Sequence, residues 1–330
     1  MEPIIPNKLE KNDEIRIISP ATSMAVISKE SRKIAIKNLA SLGLRASFGK
    51  NAEEQDNNYD GTANISQRVD DIHDAFADKN VKAIMTTLGG FNSNQLLNYL
   101  DYNLIKKNPK IFIGYSDITA LQWAIYAKTG LVTYYGPAFG TFGMKYGNDY
   151  ILDSFRKCLM SNIPYELASS KEWSDEKWWL DQDNRHFIKN KGPFTINTGN
   201  VKGKFIGGNL CTLNLLQGTE FMPNINNSIL FIEDDYESKW GNFDRDLQSL
   251  IHQKGFATIK GLVIGRFQKE SNISDDAIRK IISTKKELSK IPIIANLDYG
   301  HTFPLATLPI GGDAEIRAGK QKTYIRILHH

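Results

Sequence analysis

Apolar positions in the first half of the chain alternate between short runs and helical stripes. E-I-R-I-I-S (14–19) is an apolar run behind a polar lead-in and predicts a buried strand. I-S-K-E-S-R-K-I-A-I-K-N-L-A-S-L-G-L (27–44) repeats its apolar residues at helical spacing and stops at Gly43, a helix end. Residues 50–63 are polar and rich in Asn, Asp and Gly, which predicts a loop. An amphipathic helix over 65–78 follows, then a strand over V-K-A-I-M-T-T (81–87) that runs into Leu88-Gly89-Gly90. N-S-N-Q-L-L-N-Y-L begins the next predicted helix, I-F-I-G (111–114) the next strand, and T-A-L-Q-W-A-I-Y-A-K (119–128) a further helix. Strands alternating with helices need crossover connections, which put the strands parallel with helices on both faces. The expected fold is α/β, with an open parallel sheet of the Rossmann or flavodoxin kind over residues 1–163.

The pattern changes beyond that point. Residues 164–200, including E-W-S-D-E-K-W-W-L, are polar and aromatic without a period, and read as a connecting or substrate loop outside regular structure. V-K-G-K-F-I-G-G-N, S-I-L-F-I-E-D-D, G-L-V-I-G-R-F and I-P-I-I-A-N are short strands set off by Gly, Pro and Asn, with helices near 243–254 and 275–289. The final segment reads as a hairpin with a Gly-Lys turn. Residues 201–330 are therefore expected to form a second, β-rich domain.

Composition narrows the function class. With 330 residues the chain is long enough for two domains, and 41% hydrophobic with 24% charged residues is ordinary for a globular protein. The net charge of +4 is spread over the chain, and the cluster Lys285, Lys286, Lys290 reads as a solvated helix face, so nucleic acid is not an expected partner. Two cysteines, Cys158 and Cys211, lie far apart with no CxxC spacing, so neither a disulfide framework nor a metal site is expected, and no cofactor motif is present. No apolar run reaches membrane-spanning length, and the first residues lack a basic segment followed by an apolar one. A cytoplasmic protein without membrane attachment is the expectation.

The chemistry concentrates at strand ends. In K-I-F-I-G-Y-S-D-I-T-A-L-Q-W-A (110–124), Ser116 stands between a strand and a helix. A serine there is either a helix cap or a nucleophile lifted out of the sheet by a sharp turn; the G-x-S-x-G pattern of the usual hydrolase elbow lacks its second glycine here. Gly89-Gly90 occupies the matching corner after the preceding strand, where bare amides suit a tight turn or an oxyanion. In an open parallel sheet both corners fall on the ligand-binding edge.

A nucleophilic serine needs a base and an acid to orient it. His73 and His252 fall within helices and His186 in the polar loop. His301, in L-D-Y-G-H-T-F-P-L, follows a strand and a glycine and is bounded by prolines, so backbone aims it. Glu233 ends the buried strand S-I-L-F-I-E-D-D. A divalent-cation site at Glu233, Asp234 and Asp235 is the competing reading, but no matching acids recur elsewhere.

G-Y-S-D-I-T-A-L, I-G-G-N-L, G-T-E-F-M-P, L-F-I-E-D and G-H-T-F-P-L-A-T-L-P-I-G, in this order, resemble the LD-carboxypeptidase family of serine peptidases over nearly the whole chain. The resemblance implies a Ser-Glu-His triad of Ser116, Glu233 and His301, with the backbone amides of Gly90 and Asp117 as oxyanion donors. It places the nucleophile on the first domain and the other two on the second, implies a homodimer, and puts Gly89 and Asn209 near substrate. One branch of the family removes the terminal D-alanine of murein tetrapeptides. The other resembles the microcin C self-immunity peptidase, which cuts the amide joining an aminoacyl or peptidyl group to a nucleotide. The D-E-K-W-W-L loop resembles the second branch more, with Trp178 or Trp179 placed to stack on a base. The lysine which that branch carries after the acidic strand end is displaced here to Lys239.

Overall fold

The computed structural model describes residues 2–56 and 61–330; of the predicted loop over 50–63, positions 57–60 lie outside the described residues. The first half folds as β1 (Glu14–Ile18), α1 (Lys29–Ser41), β2 (Arg45–Phe48), α2 (Ile65–Ala77), β3 (Val81–Thr86), α3 (Tyr102–Lys107), β4 (Ile111–Gly114), α4 (Thr119–Thr129), β5 (Thr133–Tyr135) and α5 (Asp149–Leu159). The second half runs β6 (Tyr165–Glu166), β7 (Glu172–Trp173), β8 (Ile188–Lys189), β9 (Phe194–Asn197), β10 (Gly199–Asn209), α6 (Leu210–Asn214), β11 (Ser228–Glu233), α7 (Trp240–Ile251), β12 (Gly261–Gly265), α8 (Asp275–Ser283), β13 (Ile293–Leu297), β14 (Leu308–Ile310), β15 (Gly312–Ala318) and β16 (Thr323–His329).

Helix ends follow local chemistry. Ser28 caps α1 by accepting from Ser31 N, and Asn64 with Gln67 forms a capping box at α2. The helix expected from residue 92 is interrupted. A short 3-10 turn covers Ser93–Leu96, held by the Asp117 carboxylate accepting from Ser93 N, and α3 starts afresh where Asp101 accepts from Asn103 N and Leu104 N.

The first sheet has the order β14-β5-β4-β3-β1-β2. Its strands are parallel except β14, which pairs antiparallel with β5. The second sheet, β6-β16-β15-β10-β11-β12-β13-β9, has four parallel strands at its centre, β10 to β13, flanked by antiparallel ones. The strand-rich second half is thus itself built on a parallel core. Residues 164–200 depart from the expectation of an irregular connection: β6 and β9 are the two edges of the second sheet, and β7 pairs with β8 as a ribbon. Their side chains are half-exposed, as edge strands allow, so no apolar run announces them. Lys285 also departs from its reading as a solvated side chain; it is buried and paired with Asp244.

Two packing features are among the contacts that join the sheets. β14 is a late strand that returns to the early sheet. Helix α4, buried along nearly its whole length, presses on the end of β10: Trp123 Nε1 donates to Gly207 O (2.7 Å), and Asn209 N donates to Thr119 Oγ1 (3.1 Å). The two glycines of I-G-G-N serve two close approaches at this strand end, Gly207 to β11 and Gly208 to α4. A Cβ on Gly207 would stand 1.7 Å from Phe231 O, and one on Gly208 2.7 Å from Thr119. Gly207→Ala is therefore expected to destabilise by roughly 1–3 kcal/mol or more, read as a lower midpoint in urea unfolding; an unchanged midpoint would remove close approach as the reason for the motif.

Candidate active site

Six strand ends converge. Gly89 and Gly90 follow β3, Ser116 follows β4, Tyr135 ends β5, Asn209 ends β10, Glu233 ends β11, and His301 lies just past β13. All are C-terminal ends of parallel strands, where an α/β sheet binds ligands.

Ser116 has φ +63°, in the left-handed region that a residue with a Cβ rarely adopts, which costs about 1–3 kcal/mol. It makes no side-chain cap to the helix that follows. Its Oγ lies 3.0 Å from His301 Nε2 instead, so the cap reading of the serine gives way to a turn that points the hydroxyl at an imidazole. Gly89 packs against it, a Cβ there falling 2.8 Å from Ser116 Cβ. Across the ring, His301 Nδ1 lies 2.8 Å from Glu233 Oε2. The other carboxylate oxygen of Glu233 accepts from Tyr135 Oη (2.5 Å) and Asn209 Nδ2 (3.0 Å). Tyr135 Oη in turn accepts from Ser116 N at 3.3 Å. Gly300, at φ +102°, lets the His301 turn press against the acid: a Cβ there would sit 2.5 Å from Glu233 Oε2. Serine, histidine and glutamate thus form one hydrogen-bonded chain between the two sheets.

The electrostatics follow from burial and pairing. Burial alone would raise the Glu233 carboxyl. The charge of His301 and hydrogen bonds from His301, Tyr135 and Asn209 outweigh it and hold the carboxyl below its ordinary range. Burial lowers His301, but the charge and hydrogen bond of Glu233, with the fields of Asp235 and Asp234, raise the imidazole to about 9. Asp234, buried beside Glu233 and Asp235, is pushed up to about 7.

Ser116, Gly90 and Asp117 line one cleft of about 260 Å³ together with Asn209, Asp234 and Asp246. The Asp117 carboxylate is turned inward onto Ser93 N (2.9 Å), leaving Asp117 to face the cleft by its backbone. Asn209 lines the cleft, but its side chain is already used at both ends: Nδ2 reaches Glu233 and Asp234, and Oδ1 accepts from Thr212 N and Thr212 Oγ1 at the start of α6. The tryptophans lie to one side. Trp178 is buried edge-on between Trp179 and Phe303, while Trp179 is 59% exposed. Their segment is tied to the His301 turn by the paired backbone hydrogen bonds of Ser174 and Phe303 (both 2.8 Å). The other histidines stand apart: His73 Nε2 accepts from Asp101 N, His186 pairs with Glu176, and His252 contacts Gln248. Among the described residues no group of three or more His, Cys, Asp or Glu side chains is placed to share a metal ion, and both oxygens of Glu233 are engaged within the protein. No described helix is long and apolar enough to cross a membrane.

Sequence reasoning missed three participants. Tyr135 orders the acid, Tyr115 packs its ring against His301 (5.4 Å between centroids), and Phe91, 80% exposed, stands at the cleft rim. The run L-V-T-Y-Y-G-P carried a signal for Tyr135, since its strand ends at the same sheet edge as β4.

A hydroxyl hydrogen-bonded to an imidazole, itself held by a buried carboxylate, is equipped for acyl transfer through a covalent intermediate. Comparison with known proteins agrees. Residues 15–136 match the LD-carboxypeptidase N-terminal domain and residues 202–316 the LD-carboxypeptidase C-terminal domain. The putative carboxypeptidase YocD of Bacillus subtilis is 58% identical over 312 residues, covering 94% of this chain and 95% of YocD. The crystal structure of an MccF-like protein from Bacillus anthracis superposes with a TM-score of 0.97 at 53% identity, over 99% of this chain and 100% of the other. The microcin C7 self-immunity protein MccF of Escherichia coli is 34% identical over 94% of this chain and 92% of its own length. In its complex with glutamyl sulfamoyl guanosine, MccF superposes with a TM-score of 0.88 at 32% identity, over 99% of each chain. The chain belongs to the LD-carboxypeptidase family and is a hydrolase of the serine-peptidase type.

Proposed function

We propose that this chain hydrolyses the amide bond of aminoacyl- or peptidyl-nucleotide conjugates. Ser116 attacks the carbonyl and His301 takes its proton. Glu233 holds the imidazole and balances its charge, and the amides of Gly90 and Asp117 receive the oxyanion. Water activated by the same imidazole then releases the acyl group. The observation that carries this reading is the 3.0 Å and 2.8 Å chain from Ser116 through His301 to Glu233, with Ser116 on a left-handed turn. The nucleotide half of the reading is supported by the similarity to MccF, whose solved complex holds an aminoacyl sulfamoyl nucleoside. It is also supported by the open indole of Trp179 on the segment anchored at Phe303.

Four outcomes are expected. Incubated with aminoacyl-sulfamoyl adenosine and, in parallel, a murein tetrapeptide, the enzyme should release the amino acid from the first, as read by mass spectrometry. Release of D-alanine alone would make it a murein carboxypeptidase and sink the nucleotide reading. Ser116→Ala should lose several powers of ten in rate while keeping its fold, since loss of a triad member leaves only about 10³–10⁴ over water. Trp179→Ala should raise KM for the adenosine conjugate by roughly 5- to 100-fold, the worth of one base stacked on an aromatic ring. Because His301 is raised to about 9 and only the neutral ring accepts a proton, kcat/KM should climb about tenfold per pH unit below about 9 and level off above it. A profile flat from pH 7 to 10 would contradict His301 as the base.

A further inference from the structure

The cleft in front of Ser116 is strongly one-signed. Asp234, Asp235, Glu237 and Asp246 line it, and among the described residues no Lys, Arg or His does. The lysine expected near the acidic strand end is turned away: Lys239 Nζ donates to Tyr236 O (2.9 Å) and Glu270 O (2.5 Å).

Asp234 is the unusual member. It is 1% exposed, one oxygen, Oδ1, accepts from Asn209 Nδ2 (3.3 Å) and Asp235 N (3.2 Å), and the other, Oδ2, has no hydrogen-bond partner within 3.5 Å. Glu233 and Asp235 face it as like charges, and the Cys211 thiol and Ser238 hydroxyl face it as neutral hydrogen-bonding groups; none of the four is a cation. A buried carboxylate oxygen left without a donor costs free energy unless a bound group completes it. The Asn209 amide touches both Asp234 and Glu233, so the Asp234 carboxylate stands one amide away from the acid that holds His301.

We propose that Asp234, with Asp235 and Asp246, forms a cation subsite for the free α-ammonium group of the residue whose carbonyl Ser116 attacks. The enzyme would then act on single aminoacyl conjugates in preference to peptidyl or N-blocked ones. An ammonium supplies three charged donors where the wall's own side-chain donors are neutral, and it cancels the wall's repulsion. An N-acylated residue brings one neutral N–H and leaves the carboxylates unpaired. Asp235 and Asp234 also help to raise His301, so a docked ammonium eases release of the ring's proton.

The proposal rests on Ser116 as the acyl acceptor but not on the nucleotide, and its test uses probes without a nucleotide. The full chain is treated with an α-aminoalkyl diphenylphosphonate and with its N-acetyl analogue. Modification of Ser116, with loss of phenol, is followed by intact mass and peptide mapping. The free amine should react about 10- to 100-fold faster, the range of a hydrogen bond to a charged group. Asp234→Asn should bring the ratio close to one, and the rim variant Asp235→Asn, which keeps an acceptor for Glu237 N, should lower it in part. Equal rates for the two probes on the wild type, or a ratio untouched by Asp235→Asn and Asp234→Asn, would overturn the subsite alone. If neither probe modifies Ser116, the acyl-transfer reading falls and the subsite with it. The free-amine preference together with failure to cleave any nucleotide conjugate would uphold the subsite and remove only the nucleotide.

Discussion

A carboxylate as deeply buried as Glu233 has to be satisfied from within the protein, and that requirement organises the molecule. Its donors come from three places: Tyr135 at the end of β5, Asn209 at the end of β10, and His301 beyond β13. Tyr135 belongs to the first sheet and the other two to the second. The acid therefore has its full set of donors only where the end of β5 in the first sheet meets the end of β11 in the second. Its burial costs more than a surface ion pair would, and breaking one such partner is expected to be severe. In return the imidazole is fixed in one orientation and polarised toward Ser116.

The packing around this point follows from the same need. Gly208 lets the end of β10 lie on α4 and Gly207 lets it lie close against β11, which together bring Asn209 to the acid. Gly300 lets the His301 turn lie on the other carboxylate oxygen. β14 carries the chain back into the first sheet directly after that turn and so anchors His301 from behind. Motif residues that look independent in sequence are thus parts of one junction.

How much of this was legible beforehand depended on whether the cause was local. β4 at 111–114, the helix after Ser116 and the strand ending in Glu233 were readable because each is a short apolar run bounded by turn residues. Ser116, Glu233 and His301 stood out because all three sit at such boundaries. Tyr135 did not, because a tyrosine in a strand is ordinarily core, and only the nonlocal approach of β11 gives its hydroxyl a carboxylate. The edge strands within 164–200 were illegible for the same reason: their partners are about 100 residues away or more and their side chains are half wet. Lys285 looked solvated because its partner, Asp244, lies on another helix. Trp178 and Trp179 are adjacent in sequence, yet one is packed and the other open, a difference set by Phe303.

The most direct test of the cross-sheet junction is the titration of His301 itself, followed by NMR of the labelled imidazole in the wild type and in Glu233→Gln. The account predicts that the ring titrates near 9 in the wild type and falls to its ordinary value or below in the variant, where burial acts without the opposing carboxylate. A ring that titrates near its ordinary value in both would mean that Glu233 does not hold His301, and the account built on that contact would fail.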